Sequence, residues 1–159
     1  FPGIRCLKNG DGECFDGRRR LDGGITMIET SITPRVSETD GAGHINNVFV
    51  PVWLEAGRRE IFQILTPSLS FSEWRVALVN MNVDYLGQLY FQSDASVKTW
   101  IDKIGNKSFS LYEEIWQDGR HCIKGTATYV YMNYDIGAAE VVPDDVRTKL
   151  NEHLRDTNE

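Results

Sequence analysis

Glu38-Thr39-Asp40-Gly41-Ala42-Gly43-His44-Ile45-Asn46-Asn47 is the stretch on which the reading of this chain turns. It joins an alternating, strand-like run to a long amphipathic run. It also gathers a carboxylate, an imidazole, two glycines and two side-chain amides where the chain must turn. Gly41 and Gly43 permit positive φ and close approach of a ligand to the main chain. Asn46 and Asn47 suit a helix N-cap, and a helix start offers unpaired N–H groups to an oxygen placed before it. A carboxylate beside such donors could attack, or activate water against, a polarised carbonyl. Turn and capping roles account for the same residue types. Taken alone, the stretch leaves chemistry and plain turn structure both open.

Upstream, Ile28, Thr30, Ile32, Pro34 and Val36 fall on one face of an expected strand, with Glu29, Ser31, Thr33 and Arg35 on the other. Pro34 cannot donate to a ladder, so the strand lies at an edge or ends there. Downstream, Val50, Trp53, Leu54, Gly57, Ile61, Ile64 and Leu65 recur at helical spacing and predict one helix over residues 48–65. Pro51 fits only the first turn of that helix. Gly57 in mid-helix is about 1 kcal/mol worse than Ala, which implies close packing against a neighbour. Alternating runs then predict strands over residues 76–85, 95–101 and 109–115, and a long run with aromatic and β-branched residues on both faces predicts a last strand over residues 120–134. Gly105-Asn106 and Asp118-Gly119 serve as hairpin turns, and residues 86–93 as a connection. A short helix follows Pro143, with Asp144 and Asp145 at its positive end. Strand, long helix, four strands and small helix make an α+β arrangement, in which the sheet must curl round the helix to bury it.

The 159 residues suit one domain over residues 25–159. Residues 1–24, glycine-rich and carrying Arg18-Arg19-Arg20, read as a leader or an appended segment, with Met27 as a natural start. Apolar residues at 41% and charged residues at 25% are ordinary for a soluble globular protein. No apolar run approaches the roughly 18 residues of a membrane span, and the first residues lack a signal-peptide pattern. A cytoplasmic protein is expected. Lys and Arg number 17 against 23 Asp and Glu, and the formal charge of −6 argues against nucleic-acid binding. The odd count of Cys6, Cys14 and Cys122 does not look like a disulfide framework, and His44, His121 and His153 are scattered away from paired cysteines, so no metal site is expected.

Asp40-Gly41-Ala42-Gly43-His44-Ile45-Asn46-Asn47, followed by Trp53-Leu54-Glu55-Ala56-Gly57-Arg58, resembles the hotdog-fold acyl-CoA thioesterases of the 4-hydroxybenzoyl-CoA thioesterase-like branch. Val83-Asp84-Tyr85 and Gly105-Asn106-Lys107-Ser108 look like later strands of that family, and the likeness covers residues 27–132. The resemblance implies a curved antiparallel sheet wrapped round one long central helix. It also implies a homodimer or dimer of dimers, with active sites at the subunit interface. Asp40 would be the catalytic carboxylate, and the backbone N–H at Asn47 would polarise the thioester carbonyl. Gly43, His44, Asn46 and Tyr85 would meet the acyl-CoA substrate, and no cofactor is implied. Glu55 reads as a supporting residue, Arg58 and Arg59 as solvated or paired. Arg58, Arg59, Lys103, Lys107, Arg120 and Lys124 are all candidates for a CoA phosphate, and the sequence does not choose among them. Leu86-Gly87-Gln88-Leu89-Tyr90-Phe91-Gln92-Ser93 departs from the Pro and Gly-Asp of many relatives. Two rivals stand beside hydrolysis: an acyl-CoA sensor on the same fold, and a hydratase or dehydratase that uses an Asp–His pair.

Overall fold

The computed structural model describes residues 18–21 and 25–157. The segment expected as a leader lies mostly outside these residues. Within it, Arg18–Leu21 forms β1 and pairs antiparallel with β2, Ile25–Ile32. β2 stops two residues before Pro34, as a residue without an N–H requires. Then come β3 (Val76–Tyr85), β4 (Ala95–Ile104), β5 (Ser108–Gln117), β6 (Arg120–Asn133) and the two-residue β7 (Ala138–Ala139). All pair antiparallel in a seven-stranded sheet of order β1-β2-β4-β5-β6-β3, with β7 on β6. Asp118 (φ 50°) and Gly119 (φ 73°) both take left-handed backbone at the β5–β6 turn. That is the geometry which makes Asp-Gly a two-residue hairpin signal.

The single helix expected over residues 48–65 is not what forms. A 3-10 turn at Asn47–Phe49 leads into α1 (Val50–Ala56), and after Gly57-Arg58 the chain continues as α2 (Arg59–Leu65). Each helix has seven residues, so the long central helix is corrected to two short ones. The periodic apolar stripe survives because the backbone at Gly57 and Arg58 stays near helical φ/ψ. Only the hydrogen-bond ladder is interrupted. The cause of close approach at the break is visible: a Cβ on Gly57 would lie 2.6 Å from Val97 Cγ1 and 2.9 Å from Thr99 Oγ1. No Cβ fits there, and only glycine lets the helix sit this close to β4.

The core divides at the same place. Val50, Trp53 and Leu54 of α1 join Val97, Ile115 and Ile123 in one buried cluster. Ile61 and Leu65 of α2 join Ile101, Phe109, Leu111 and Tyr129 in another. Between them lies a buried ion pair. Arg58 donates from Nε to Glu113 Oε1 (2.6 Å) and from Nη2 to Oε2 (2.8 Å), while its Nη1 reaches the Tyr129 hydroxyl at 2.7 Å. Burial pushes the Glu113 carboxyl up, against the pull of Arg58. α3 (Asp144–Asn151) sits over the second cluster and buries Val146 and Leu150. Among the described residues no helix is long and apolar enough to cross a membrane.

Candidate active site

The opening stretch folds into a small closed loop between β2 and α1. Thr39 and Ile45 form an antiparallel bridge, and the Asp40 N–H donates to the His44 carbonyl at 2.9 Å. Closing so short a loop needs left-handed residues, and Gly41 (φ 86°) and Gly43 (φ 87°) supply them. The loop rests on an anchor just before it. The backbone N–H, Nε and Nη2 of Arg35 all donate to the buried Glu38 carboxylate, whose own carbonyl accepts the Asn46 N–H at 2.8 Å. Burial raises the Glu38 carboxyl, but the Arg35 hydrogen bonds outweigh that and hold it below the usual carboxylate range.

Within the loop, Asp40 Oδ1 accepts the Ala42 N–H at 2.8 Å, which fixes the carboxylate in an Asx turn. Its Oδ2 stands 3.6 Å from His44 Nδ1, too long for a hydrogen bond but within ion-pair reach of an imidazolium. The two side chains are 38% and 37% exposed, so the pair opens to solvent. His44 is braced edge-on against Tyr90, with ring centroids 5.1 Å apart. Next in the chain, Asn46 caps the 3-10 turn, its side-chain oxygen accepting the Val48 N–H. The Asn46 carbonyl takes the Phe49 N–H at 3.0 Å, which polarises the Asn46–Asn47 peptide. No described residue accepts the N–H of Asn47 itself.

Tyr85, at the far end of β3, donates its hydroxyl to the Asn47 carbonyl at 3.0 Å across 38 residues of sequence. Asn47 and Tyr85 together line a cleft of about 410 Å³ with Val50, Leu86, Gly87 and Leu89. Asp40, Gly43, His44 and Asn46 are gathered in the loop at the helix start, but none of the four lines this cleft. Gly43 is tied to the opposite segment by its carbonyl, which accepts the Phe91 N–H. Glu55 and Arg59 lie instead on a second cleft of about 830 Å³, with Phe62, Phe71, Trp74 and Tyr129. Arg58 is not solvated: it is 1% exposed and belongs to the core pair.

Two residues were overlooked in the sequence. Gln117, 2% exposed, accepts the Tyr90 N–H and donates to the carbonyls of Tyr90 and Ser93, all at 2.8 Å. It therefore shapes the connection over residues 86–93. Glu113 is the other. The available signal was positional: both occupy the face of β5 otherwise held by Phe109, Leu111 and Ile115, where an uncompensated polar group would be costly. Among the described residues no three His, Cys, Asp or Glu side chains converge as a metal site requires.

Residues 34–150 match the family described as the Thioesterase-like superfamily. The chain is 55% identical to a predicted thioesterase from Bacillus stearothermophilus of known structure, with a TM-score of 0.81, covering 83% of this chain and 99% of that one. It resembles in fold a Thermus thermophilus thioesterase solved with coenzyme A and Zn, at 22% identity and a TM-score of 0.70, covering 77% of this chain and 95% of that one. It is also 25% identical over 122 residues to the uncharacterized protein YsmA of Bacillus subtilis (strain 168), covering 75% of this chain and 82% of that protein.

Proposed function

Because the chain belongs to the Thioesterase-like superfamily, we propose that it hydrolyses an acyl-CoA thioester to a free acid and CoA, with Asp40 as the reacting carboxylate. The observation that carries this reading is local. A carboxylate with one oxygen fixed by Ala42 and the other uncommitted sits in a loop closed onto the start of a helix. At that start an N–H is left open and its peptide is polarised. The Asn47 N–H is suited to receive the carbonyl oxygen as negative charge develops on it. Tyr85 holds the adjoining peptide in place. Gly43, His44 and Asn46 keep the loop in register with the helix start and are the remaining candidates for substrate contact.

Water supplies the oxygen of the new acid, the C–S bond breaks, and CoA leaves as a thiolate that takes up a proton. Asp40 either deprotonates that water or attacks first, giving a mixed anhydride that water then opens. A thiolate is a good leaving group, so neither route calls for a cofactor. That the fold relative from Thermus was solved with coenzyme A favours CoA as the carrier.

A hotdog homodimer, or a dimer of such dimers, is the assembly we propose. β3 ends the strand order, so its outer edge has no partner among the described residues. It exposes Leu78 and Val79, and it leads to Tyr85 at the cleft. An unpaired apolar edge of this length is suited to pairing with a second copy. A sedimentation mass of a single chain at micromolar concentration would refute that part.

The activity test is release of free thiol from a panel of acyl-CoAs by wild type and Asp40→Ala in parallel. Loss of a general base typically lowers turnover by about 10²–10⁴-fold, and a solvated loop carboxylate should leave folding intact. Near wild-type turnover by Asp40→Ala would overturn the assignment of Asp40. The Asp40–His44 contact is also what a hydratase would use. Following a 2-enoyl-CoA for loss of its conjugated absorbance without thiol release separates that reading. CoA binding with neither reaction would point to a sensor.

A further inference from the structure

We propose that Gln117 is a positioning residue for the Asp40 loop: its side-chain amide holds the segment that splints the loop, and it touches no reacting atom itself. Its role in turnover rests on the hydrolase reading above. The splint rests on hydrogen bonds alone.

Residues 89–91 run beside the loop. Tyr90 and His44 form an antiparallel bridge, flanked by two backbone hydrogen bonds. The Ile45 N–H donates to the Leu89 carbonyl at 2.8 Å, and the Phe91 N–H to the Gly43 carbonyl at 3.0 Å. In such a pairing the flanking residues carry the bonds, and the N–H and carbonyl of the residue between them point away. Tyr90 therefore turns its own N–H and carbonyl from the loop, to a side where no described strand pairs with it. β5 ends there at Gln117, and its side chain takes the place of a strand. Oε1 accepts the Tyr90 N–H, while Nε2 donates to the carbonyls of Tyr90 and Ser93, all at 2.8 Å.

This use of Gln is specific. Both amide hydrogens are committed, and two carbonyls at one end with an N–H at the other fix which end is nitrogen. A carboxylate would have no hydrogen for either carbonyl, and Asn is shorter by a methylene. The residue is buried, so each backbone group it left unpaired would be costly.

The loop depends on outside support because Gly41 and Gly43 give it a permissive, left-handed backbone. The Asp40 N–H donates to the carbonyl of His44, which lies between the two clamped residues Gly43 and Ile45. A shift of the clamp thus shifts Asp40 against the Asn47 helix start. The cleft wall is held separately: the N–H groups of Leu86 and Gly87 donate to the Cys122 carbonyl at 2.8 and 3.0 Å. Gln117 therefore acts on the reacting carboxylate rather than on the wall. All of these bonds lie within one chain, so the splint does not depend on a second copy.

The test is thiol release by wild type, Gln117→Met and Gln117→Asn, with amide hydrogen exchange followed by NMR on the same proteins. Met keeps the length of Gln without its donors. Asn keeps the amide but not the reach, and carries the comparison should Gln117→Met fail to fold. Because a misplacement of about 1 Å can cost on the order of 100-fold, kcat should fall by about 10–100-fold. KM should stay within about threefold, since the wall has its own anchors. The Ile45 and Phe91 amides should exchange at least about tenfold faster, while Leu111, buried in mid-β5, exchanges as in wild type. A kcat within about twofold of wild type, or a loss carried by KM, would overturn the positioning role and leave the hydrolase reading standing. Acceleration at Leu111 equal to that at Ile45 and Phe91 would make the effect a general loosening and overturn it too. Unchanged exchange at Ile45 and Phe91 would remove the splint. Should wild type release no thiol from any acyl-CoA, the hydrolase reading falls, and exchange at these two amides alone decides whether the splint stands.

Discussion

Glu113→Ala should be among the most damaging single substitutions in this protein, although Glu113 touches no proposed substrate atom. Both of its oxygens accept from Arg58, at 2.6 and 2.8 Å, and the two side chains are 0% and 1% exposed. Removing the carboxylate leaves a guanidinium sealed in the core. Its remaining described partners would be the Tyr129 hydroxyl at 2.7 Å and the Met81 sulfur at 3.8 Å, neither of which carries a compensating charge. Removing one member of a buried pair typically costs about 3–5 kcal/mol, a large share of the roughly 5–15 kcal/mol that holds a domain folded. The pair also fills the gap between the α1 and α2 clusters, so a loss here loosens the whole helical segment. Removing the polar groups together should cost far less. Arg58→Met/Glu113→Leu/Tyr129→Phe leaves no buried charge and no orphaned hydroxyl, and apolar replacement of such groups is often neutral or stabilising. Urea unfolding at fixed protein concentration, with m unchanged, reads both effects. Glu113→Ala within about 1 kcal/mol of wild type, or a triple variant no better than Glu113→Ala, would refute the reasoning that desolvated charge dominates at this site.

Gly57→Ala should destabilise by about 1–3 kcal/mol through overpacking, despite the better helix propensity of Ala, because its Cβ meets Val97 and Thr99 of β4. Val97→Ala in the same chain should recover part of that loss, and a neutral or stabilising Gly57→Ala in urea unfolding would contradict the close approach. A third expectation concerns pH. The folded-state pKa of Glu38 lies below its unfolded value, so its contribution is present above the unfolded pKa and is lost as pH falls through the folded one. In Arg35→Ala the side-chain donors are gone and burial acts with less opposition. The Tm gap between wild type and Arg35→Ala should therefore shrink as pH falls from about 6 to about 3; a gap independent of pH would exclude this origin.

Much of the sheet was legible because its signals are local. Period-two alternation marked β3, β4 and β5, aromatic and β-branched residues on both faces marked β6, and Asp118-Gly119 marked a turn whose backbone both residues adopt. The Asp40 loop was legible for the same reason, since glycines at positive φ and an Asn cap act within a few residues of themselves. The interruption at Gly57-Arg58 was not. The apolar stripe runs unbroken through both helices, and what halts the ladder is packing against β4 together with an ion pair to a strand 55 residues away.

By itself, then, the sequence determined the elements whose causes are contained within them: the strands, the hairpins, the closed loop and its capped helix start. Only the tertiary structure decided which distant side chains complete the candidate site. Tyr85 reaches Asn47 because β3 crosses to the sheet edge beside the helix start. Gln117 reaches back to Tyr90 and Ser93 because β5 ends beneath that connection. The sheet register likewise sends Lys103 and Lys107 to the opposite hairpin from Arg120 and sets Lys124 between Asp84 and Glu114. The physical reason is one of range. Backbone preference is fixed by neighbours along the chain, whereas burial and charge compensation depend on groups that only the folded sheet brings together.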